Sequence, residues 1–459
     1  MHDLTVGSIP RHLFRLAAPL AIGMVFQTLY FLVDLYFIGQ SGDAAIAGVS
    51  AAGNVQFIVL GLTQILGVGA MALIAQSTGR KDRADATLLF NQSLLFAGVA
   101  ALATLVGGYL FADDYMRGLG ADLATVRAGT AYLHWFLPGL GLQFALVAMG
   151  AALRGTGIVK PTMVVQMLTV LLNALLAPIL IAGWLTGRPL GPQGAGLASS
   201  ISIAVGVAMM WTYFLKLERF VGFDRAALRP RLAVWRRILR IGLPPGGEFA
   251  LMFAYLAVIY WAIRGFGPEA QAGFGVGSRV MQAIFLPAMA IAFAAAPIAG
   301  QNVGARQPER VRATFRWAAW IGSAVMLALT LLCQWRPELL IAGFTNDPAV
   351  ITVGRHFLAI ISWNFVATGL IFTCSSLFQA LGNTLPSVLS GATRLVTFAV
   401  PAVWLSRRPG FELGQLWLLS VATVALQACV SLGLLRLELA RRLPADTSPA
   451  PTLAALPAE

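Results

Sequence analysis

The sequence predicts an all-α polytopic membrane protein with twelve transmembrane helices in two six-helix lobes related by a parallel internal repeat. Three observations predict it. Of 459 residues 58% are hydrophobic and only 11% are charged, with a mean hydropathy of +0.77. Apolar runs of about 20 residues, the length that crosses roughly 30 Å of hydrocarbon as helix, recur along the whole chain. One ungapped shift of 225 residues carries Pro19 onto Pro244, Gln76 onto Gln301, Gly79 onto Gly304 and Pro161 onto Pro386. The runs are continuous rather than alternating, which excludes a transmembrane β-barrel.

The first span, 13–38, is broken by Pro19 and holds Gln27 and Asp34 inside it. A carboxylate at hydrocarbon depth costs about 2.5 to 3.5 kcal/mol on insertion scales, so such residues face a cavity, a partner or an ion path. Gln27 and Asp34 are seven residues apart and share one helix face. Further spans are expected at 46–76, 88–111, 129–152, 161–184, 194–216, 239–263, 270–298, 314–333, 354–379, 386–405 and 414–435. The second and eighth exceed the bilayer thickness and are expected to tilt or extend beyond it. The repeat divides the chain into an N-terminal lobe, 1–217, a basic linker, 218–235, a C-terminal lobe, 236–436, and a Pro- and Ala-rich tail, 437–459, expected to be disordered. Six is even, so the halves share an orientation, and in transporters that arrangement puts a substrate cavity between them.

Most of the 32 Lys and Arg residues lie in loops on the side of the N-terminus, which puts both termini in the cytoplasm. The net charge of +13 is not gathered into one patch with interleaved aromatics, so nucleic acid is not an expected partner. Cys333, Cys374 and Cys429 lie in apolar runs without paired or metal-ligand spacing and read as buried small hydrophobes. No P-loop lysine motif and no converging nucleophile or metal set is present, so an enzyme is not expected, and an ion gradient is left as the energy source. No signal peptide precedes the first span by pattern.

Inside the spans the acidic residues are Asp34 and Glu248, in corresponding helices but not superposed, since the shift carries Asp34 to Ile259 and Glu248 to Gly23. Both read as ion-path candidates. Arg279 and Arg394 are the candidate counter-charges. Asn54, Asn173, Ser199, Gln282 and Asn364 are further polar groups whose ordinary use is hydrogen bonding between helices. His134 and His356 fall near outer span ends. Pro19 and Pro244 remove a helix hydrogen bond and permit a bend in the first helix of each half. Tyr30 and other aromatics can line an apolar cavity.

Together these motifs resemble the multidrug and toxic compound extrusion (MATE) family. The resemblance is carried by the first span followed by IGQSGDAAIAGVSAAGN, by ALIAQSTGRKD and its second-half counterpart APIAGQNVGARQPE, by ALRGTGIVKPT, and by GFGVGSRVMQAIFLPAMAIAFAAAP. It covers about residues 11–436. It implies export of cationic or amphipathic organic compounds across the bacterial inner membrane, as a monomer in contact with lipid, without a cofactor, in exchange for H+ or Na+. On this resemblance Asp34 is the first-helix carboxylate that holds the coupling ion, Gln27 the cavity glutamine and Pro19 the bending proline. Asn173 matches the fifth-helix asparagine and Ser199 the sixth-helix hydroxyl. Ala177 stands where many members carry a second carboxylate. Span 10 lacks the carboxylate of the sodium-coupled branch and has Thr368 near that place, and Glu248 lies about one turn from that branch's seventh-helix glutamate. Na+ needs several oxygen ligands held together whereas a proton needs one tunable carboxylate, so H+ coupling is favoured. The expected ion-coupling set is therefore Asp34, Asn173, Ser199 and Glu248, and the expected cavity set Gln27, Tyr30, Asn54, Arg279 and Gln282. The alternative is a flippase for lipid-linked precursors from the wider superfamily. It would need a cavity lined by several basic side chains, and only Arg279 and Arg394 qualify.

Overall fold

The computed structural model describes residues 2–39, 42–119, 122–185, 187–218 and 220–443, with the side chains of residues 30–35 outside the description. The expectations for the side chains of Tyr30 and Asp34, and for the tail beyond residue 443, therefore lie outside the described residues. Within that range all regular structure is helical. The N-terminal lobe holds α1 (Ile9–Gly39), α2 (Asp43–Gly79), α3 (Arg83–Gly118), α4 (Leu123–Gly155), α5 (Lys160–Leu180) and α6 (Pro192–Lys216). The C-terminal lobe holds α7 (Leu232–Ile263), α8 (Pro268–Gly304), α9 (Pro308–Trp335), α10 (Pro337–Ala342), α11 (Pro348–Ile361), α12 (Phe365–Leu381), α13 (Leu385–Leu405) and α14 (Leu413–Arg442). Twelve described segments are long and apolar enough to cross a membrane, with α11 and α12 counted as one span. The chain is a multi-pass membrane protein.

The repeat is visible at the level of helix ends. The 225-residue shift carries α2 onto α8 and α5 onto α13 end for end. α2 and α8 have 37 residues each, about 55 Å of helix against about 30 Å of hydrocarbon, so both project beyond the bilayer as their length requires. Caps repeat too. Asp122 accepts from the backbone of Thr125 at the start of α4, and its repeat mate Asp347 accepts from Ala349 at the start of α11. Those hydrogen bonds from Thr125 hold the Asp122 carboxyl below its ordinary range. After α2 and α8 the chain turns through Lys81 (φ 59°) and Arg306 (φ 55°), again 225 apart, the left-handed step that ends a helix.

Four boundaries differ from expectation. The span expected at 354–379 is two helices, α11 and α12, joined by a short 3-10 turn at Ser362–Asn364. Acceptors there are taken by α9: Thr330 Oγ1 donates to the backbone Ser362 O (3.0 Å), and Gln334 Nε2 to the backbone Ala359 O (2.6 Å) and the Ser362 hydroxyl (2.8 Å). A break at membrane depth is tolerated when neighbouring side chains satisfy it. Gln334→Leu is therefore expected to cost about 1 to 3 kcal/mol by orphaning these groups, read as a lower thermal midpoint in detergent. Second, α7 begins at Leu232, inside the expected linker. Third, the linker packs on α3: buried Gln92 donates to Ala227 O (2.6 Å) and Arg229 O (2.7 Å) and accepts from Arg231 N (2.9 Å), while Asn91 donates to Gly222 O (2.8 Å). Fourth, α14 runs to Arg442, past the expected boundary at 436, where the Arg442–Glu438 ion pair joins its last turns. Cys333 and Cys374 are buried as read, but Cys429 is exposed on α14, in keeping with an apolar residue on an outer face.

The lobes meet at the end of the bundle where α1 begins and α2 and α8 finish. There the C-terminal turns of α2 and α8 cross backbone against backbone: a Cβ on Gly79 would lie 1.9 Å from Gln301 O, and one on Gly304 would lie 2.0 Å from Gln76 O. Only glycine permits this approach. Around the crossing, Gln76 Nε2 donates to Ala380 O at the end of α12 (2.8 Å), and its repeat mate Gln301 donates to Gly155 O at the end of α4 (3.0 Å). Each glutamine thus caps the last turn of a helix in the opposite lobe. These inter-lobe hydrogen bonds lie at this end.

An N-terminal strap, residues 2–8, closes the same seam. His2 N donates to Thr156 O (2.8 Å) in the N-terminal lobe, and Leu4 N to Gln301 Oε1 (2.9 Å) in the C-terminal lobe. Arg310 grips Leu4 O (3.2 Å) and Gly7 O (3.0 Å), and the Leu4 side chain is fully buried among α8, α9 and α12 residues.

Candidate functional site

In the N-terminal lobe the expected cavity residue Gln27 and the expected coupling residues Asn173 and Ser199 sit on three helices. Gln27 is half-buried on α1, while Asn173 on α5 and Ser199 on α6 are completely buried and neither lacks a partner. The close seating of α6 explains that burial. A Cβ on Gly194 would lie 2.3 Å from Leu180 O of α5, and one on Gly196 would lie 2.5 Å from Tyr132 O of α4, so α6 packs hard against both. Ala177, one turn beyond Asn173, is also fully buried and leaves no room for a second carboxylate without repacking. The bending residue Pro19 lies within α1 and is half-buried.

In the C-terminal lobe α7 and α13 form the corresponding seam. Pro244 lies within α7 beside buried Pro245. One turn on, the Glu248 carboxylate faces the Ser387 hydroxyl of α13, and its Oε1 is buried with no hydrogen-bond partner. Seven residues further along each helix, Arg394 lays its guanidinium over the Tyr255 ring, 4.1 Å from the centroid. Tyr255 Oη shares a 2.8 Å hydrogen bond with Ser420 Oγ of α14, and its ring packs on Phe398 at 4.6 Å. The expectation of Arg279 and Arg394 as counter-charges to Asp34 lies outside the described side chains. Among the described residues neither is in ion-pair range of a carboxylate; Arg279 is exposed on α8 and Arg394 lies over an aromatic face.

Of the expected cavity residues, Asn54 on α2 and Arg279 on α8 are repeat mates, and both are exposed, as is Gln282 one turn from Arg279. They stand on the two long helices that cross at the closed end. Sequence reasoning missed Gln166. On α5 it faces Gly23 of α1, where a Cβ would meet its Oε1 at 3.1 Å. The repeat shift carries Gly23 to Glu248 and Gln166 to Gly391. Each lobe therefore places one polar side chain in the corresponding inter-helix seam, on opposite helices: Gln166 faces Gly23, while Glu248 faces Ser387. The superposition of Glu248 on Gly23 was in the sequence, but which helix face met α5 was not. Gln76 and Gln301 were likewise visible as superposed residues without their role across the seam.

The MatE family profile matches residues 19–179 and again 244–405, two matches that begin 225 residues apart. Among curated relatives, the chain is 28% identical over 448 residues to the probable multidrug resistance protein NorM of Thermotoga maritima, covering 93% of this chain and 92% of that protein. It is 24% identical over 447 residues to the multidrug export protein MepA of Staphylococcus aureus (95% of each) and 24% identical over 405 residues to a FAD transporter of Shewanella oneidensis (87% and 88%). A solved structure of a MATE in the bent conformation superposes with a TM-score of 0.90 at 23% identity, over 96% of this chain and 97% of that one. A MOP-superfamily transporter from Pyrococcus furiosus Vc1 superposes with a TM-score of 0.87 at 23% identity, over 96% and 98%. The two matched blocks span most of both lobes, and the chain belongs to the MatE family.

Proposed function

We propose that the protein is a secondary active exporter of cationic or amphipathic organic compounds, driven by inward H+ flow and working by alternating access as a single chain. The observation that carries this is Asp34, a carboxylate on a membrane-spanning helix of a MatE-family chain, one face shared with Gln27. The names of its relatives, multidrug resistance and export proteins, support the substrate class. On this reading the membrane is a bacterial inner membrane, and the positive-inside rule supports a cytoplasmic side for the closed end and both termini, so the lobes would open outward. Protonation of Asp34 from outside would weaken its hold on a cationic substrate, and deprotonation inside would reset it. Buried Ala177 beside Asn173 supports H+ over Na+, since a hard cation needs several oxygen ligands. The flippase reading rests on Arg279 and Arg394, which stand on different helices with only Arg279 exposed, and it is not favoured.

The test is efflux from proteoliposomes with pH and Na+ gradients imposed separately. Transport is expected to follow the pH gradient in the wild type and to fall to background in Asp34→Asn. Transport that follows Na+ alone, or survives the substitution, overturns the assignment and moves coupling toward Glu248.

A further inference from the structure

The α7–α13–α14 seam contains a cation that no described carboxylate pairs and whose Nε has no acceptor. Arg394 sits midway along α13, at a depth where an unpaired charge is costly. Its guanidinium has five donors. The Tyr255 face satisfies its charge in part but accepts none of its hydrogen bonds, and Nε is buried with no acceptor. A second observation points the same way. Tyr255 and Ser420 share one hydrogen bond between two hydroxyls, so whichever oxygen accepts keeps an O–H hydrogen to give elsewhere. The nearest intramembrane carboxylate on the same seam, Glu248, is two turns away, about 10 Å along the axis. A guanidinium over an aromatic face, with a spare hydroxyl donor on the same tyrosine or its serine partner, supplies the elements of a receptor for a planar or tetrahedral anion.

We propose that Arg394, with Tyr255 and Ser420, is a binding site in the C-terminal lobe for an anionic group, a carboxylate, sulfonate or phosphate, carried by the transported compound. The inference rests on the efflux reading above and deepens it. Compounds with both a cationic and an anionic group would be accepted, with the anion held in this lobe by Arg394. A lipid phosphate offers the same chemistry, but headgroups lie at the interface and Arg394 lies midway along its helix.

The probes are a rhodamine free acid and its methyl ester, which differ only in the carboxylate, measured by fluorescence polarisation on purified protein in nonionic detergent. The free acid is expected to bind the wild type and to weaken about 10- to 100-fold in Arg394→Gln, the worth of one charge-assisted hydrogen-bonded pair, while ester binding is unchanged. Arg394→Lys keeps the charge and is expected to recover part of the loss. Failure of the free acid to bind, or an equal loss for acid and ester, overturns the proposal. Displacement of the free acid by phosphatidylglycerol through Arg394 assigns the site to lipid and overturns it as a substrate site. Ester efflux in proteoliposomes is read in parallel. Its absence removes the efflux reading, while the Arg394 dependence of free-acid binding still decides whether the anion site exists.

Discussion

Gly304→Val pushes the two lobes apart at the closed end, and Gly79→Val does the same from the other side. Any side chain at these positions meets the backbone carbonyl of the opposite long helix about 2 Å away, a separation no Cβ contact tolerates. The obstacle is backbone, so no rotamer change relieves it. α2 and α8 must shift relative to one another, and the shift breaks the Gln76 bond to Ala380 O and the Gln301 bond to Gly155 O. Leaving those helix-end carbonyls and amides unpaired costs about 1 to 3 kcal/mol each. Each lobe keeps its own core, so the loss falls on closure rather than on folding. We expect maleimide labelling of Val303→Cys at the seam to speed up by at least about tenfold in Gly304→Val, with efflux reduced by a similar factor. Gly322→Ala on α9, where a Cβ meets nothing, is the control and leaves both unchanged. Labelling and efflux at wild-type levels in Gly304→Val would show that the crossing does not hold the lobes.

How much of this was legible in the sequence follows from which interactions are local. Span count, lobe division and the extra length of the second and eighth helices come from hydropathy and from an internal repeat, both properties of the chain itself. The break at Ser362–Asn364 was not legible, because its stability comes from Thr330 and Gln334 on another helix. Glu248 and Arg394 were visible as anomalies, yet their partners, Ser387 and the Tyr255 ring, depend on the rotation of α7 against α13. The polar residue facing Gly23 was missed for the same reason. Gln76 and Gln301 are the instructive case. Their superposition marked them as paired, and the pairing is across the lobes, each to a helix end that only the crossing of α2 and α8 brings within reach.

Removal of residues 2–7 is expected to loosen the closed end by a comparable amount, and lowering the pH is expected to imitate part of that loss. The strap buries Leu4 completely, worth about 2 kcal/mol of apolar transfer, and satisfies Gln301 Oε1 and the Arg310 guanidinium with its own backbone. Without it Gln301 Oε1 loses its partner and Arg310 keeps only its bond to Asn302 Oδ1 (3.0 Å), and the total of roughly 3 to 4 kcal/mol corresponds to a shift of about 10²-fold or more in the population of the open seam. His2 sets the pH term. Burial, and then the neighbouring Arg15, lower its pKa from the ordinary 6.5. The geometry agrees with that direction, since Arg15 donates to His2 Nε2 at 2.6 Å and an imidazolium nitrogen has no lone pair to accept. The docked strap therefore holds His2 neutral. Its contribution is fully present above pH 6.5 and is lost as the pH falls through the lowered value. Hydrogen exchange at the Leu4 amide reports docking directly. In the wild type its protection should drop between pH 7.5 and about pH 5, and His2→Ala should remove that dependence while leaving Leu4 protected at neutral pH. Unchanged Val303→Cys labelling after deletion of 2–7 would mean that the crossing of α2 and α8 closes the lobes without the strap.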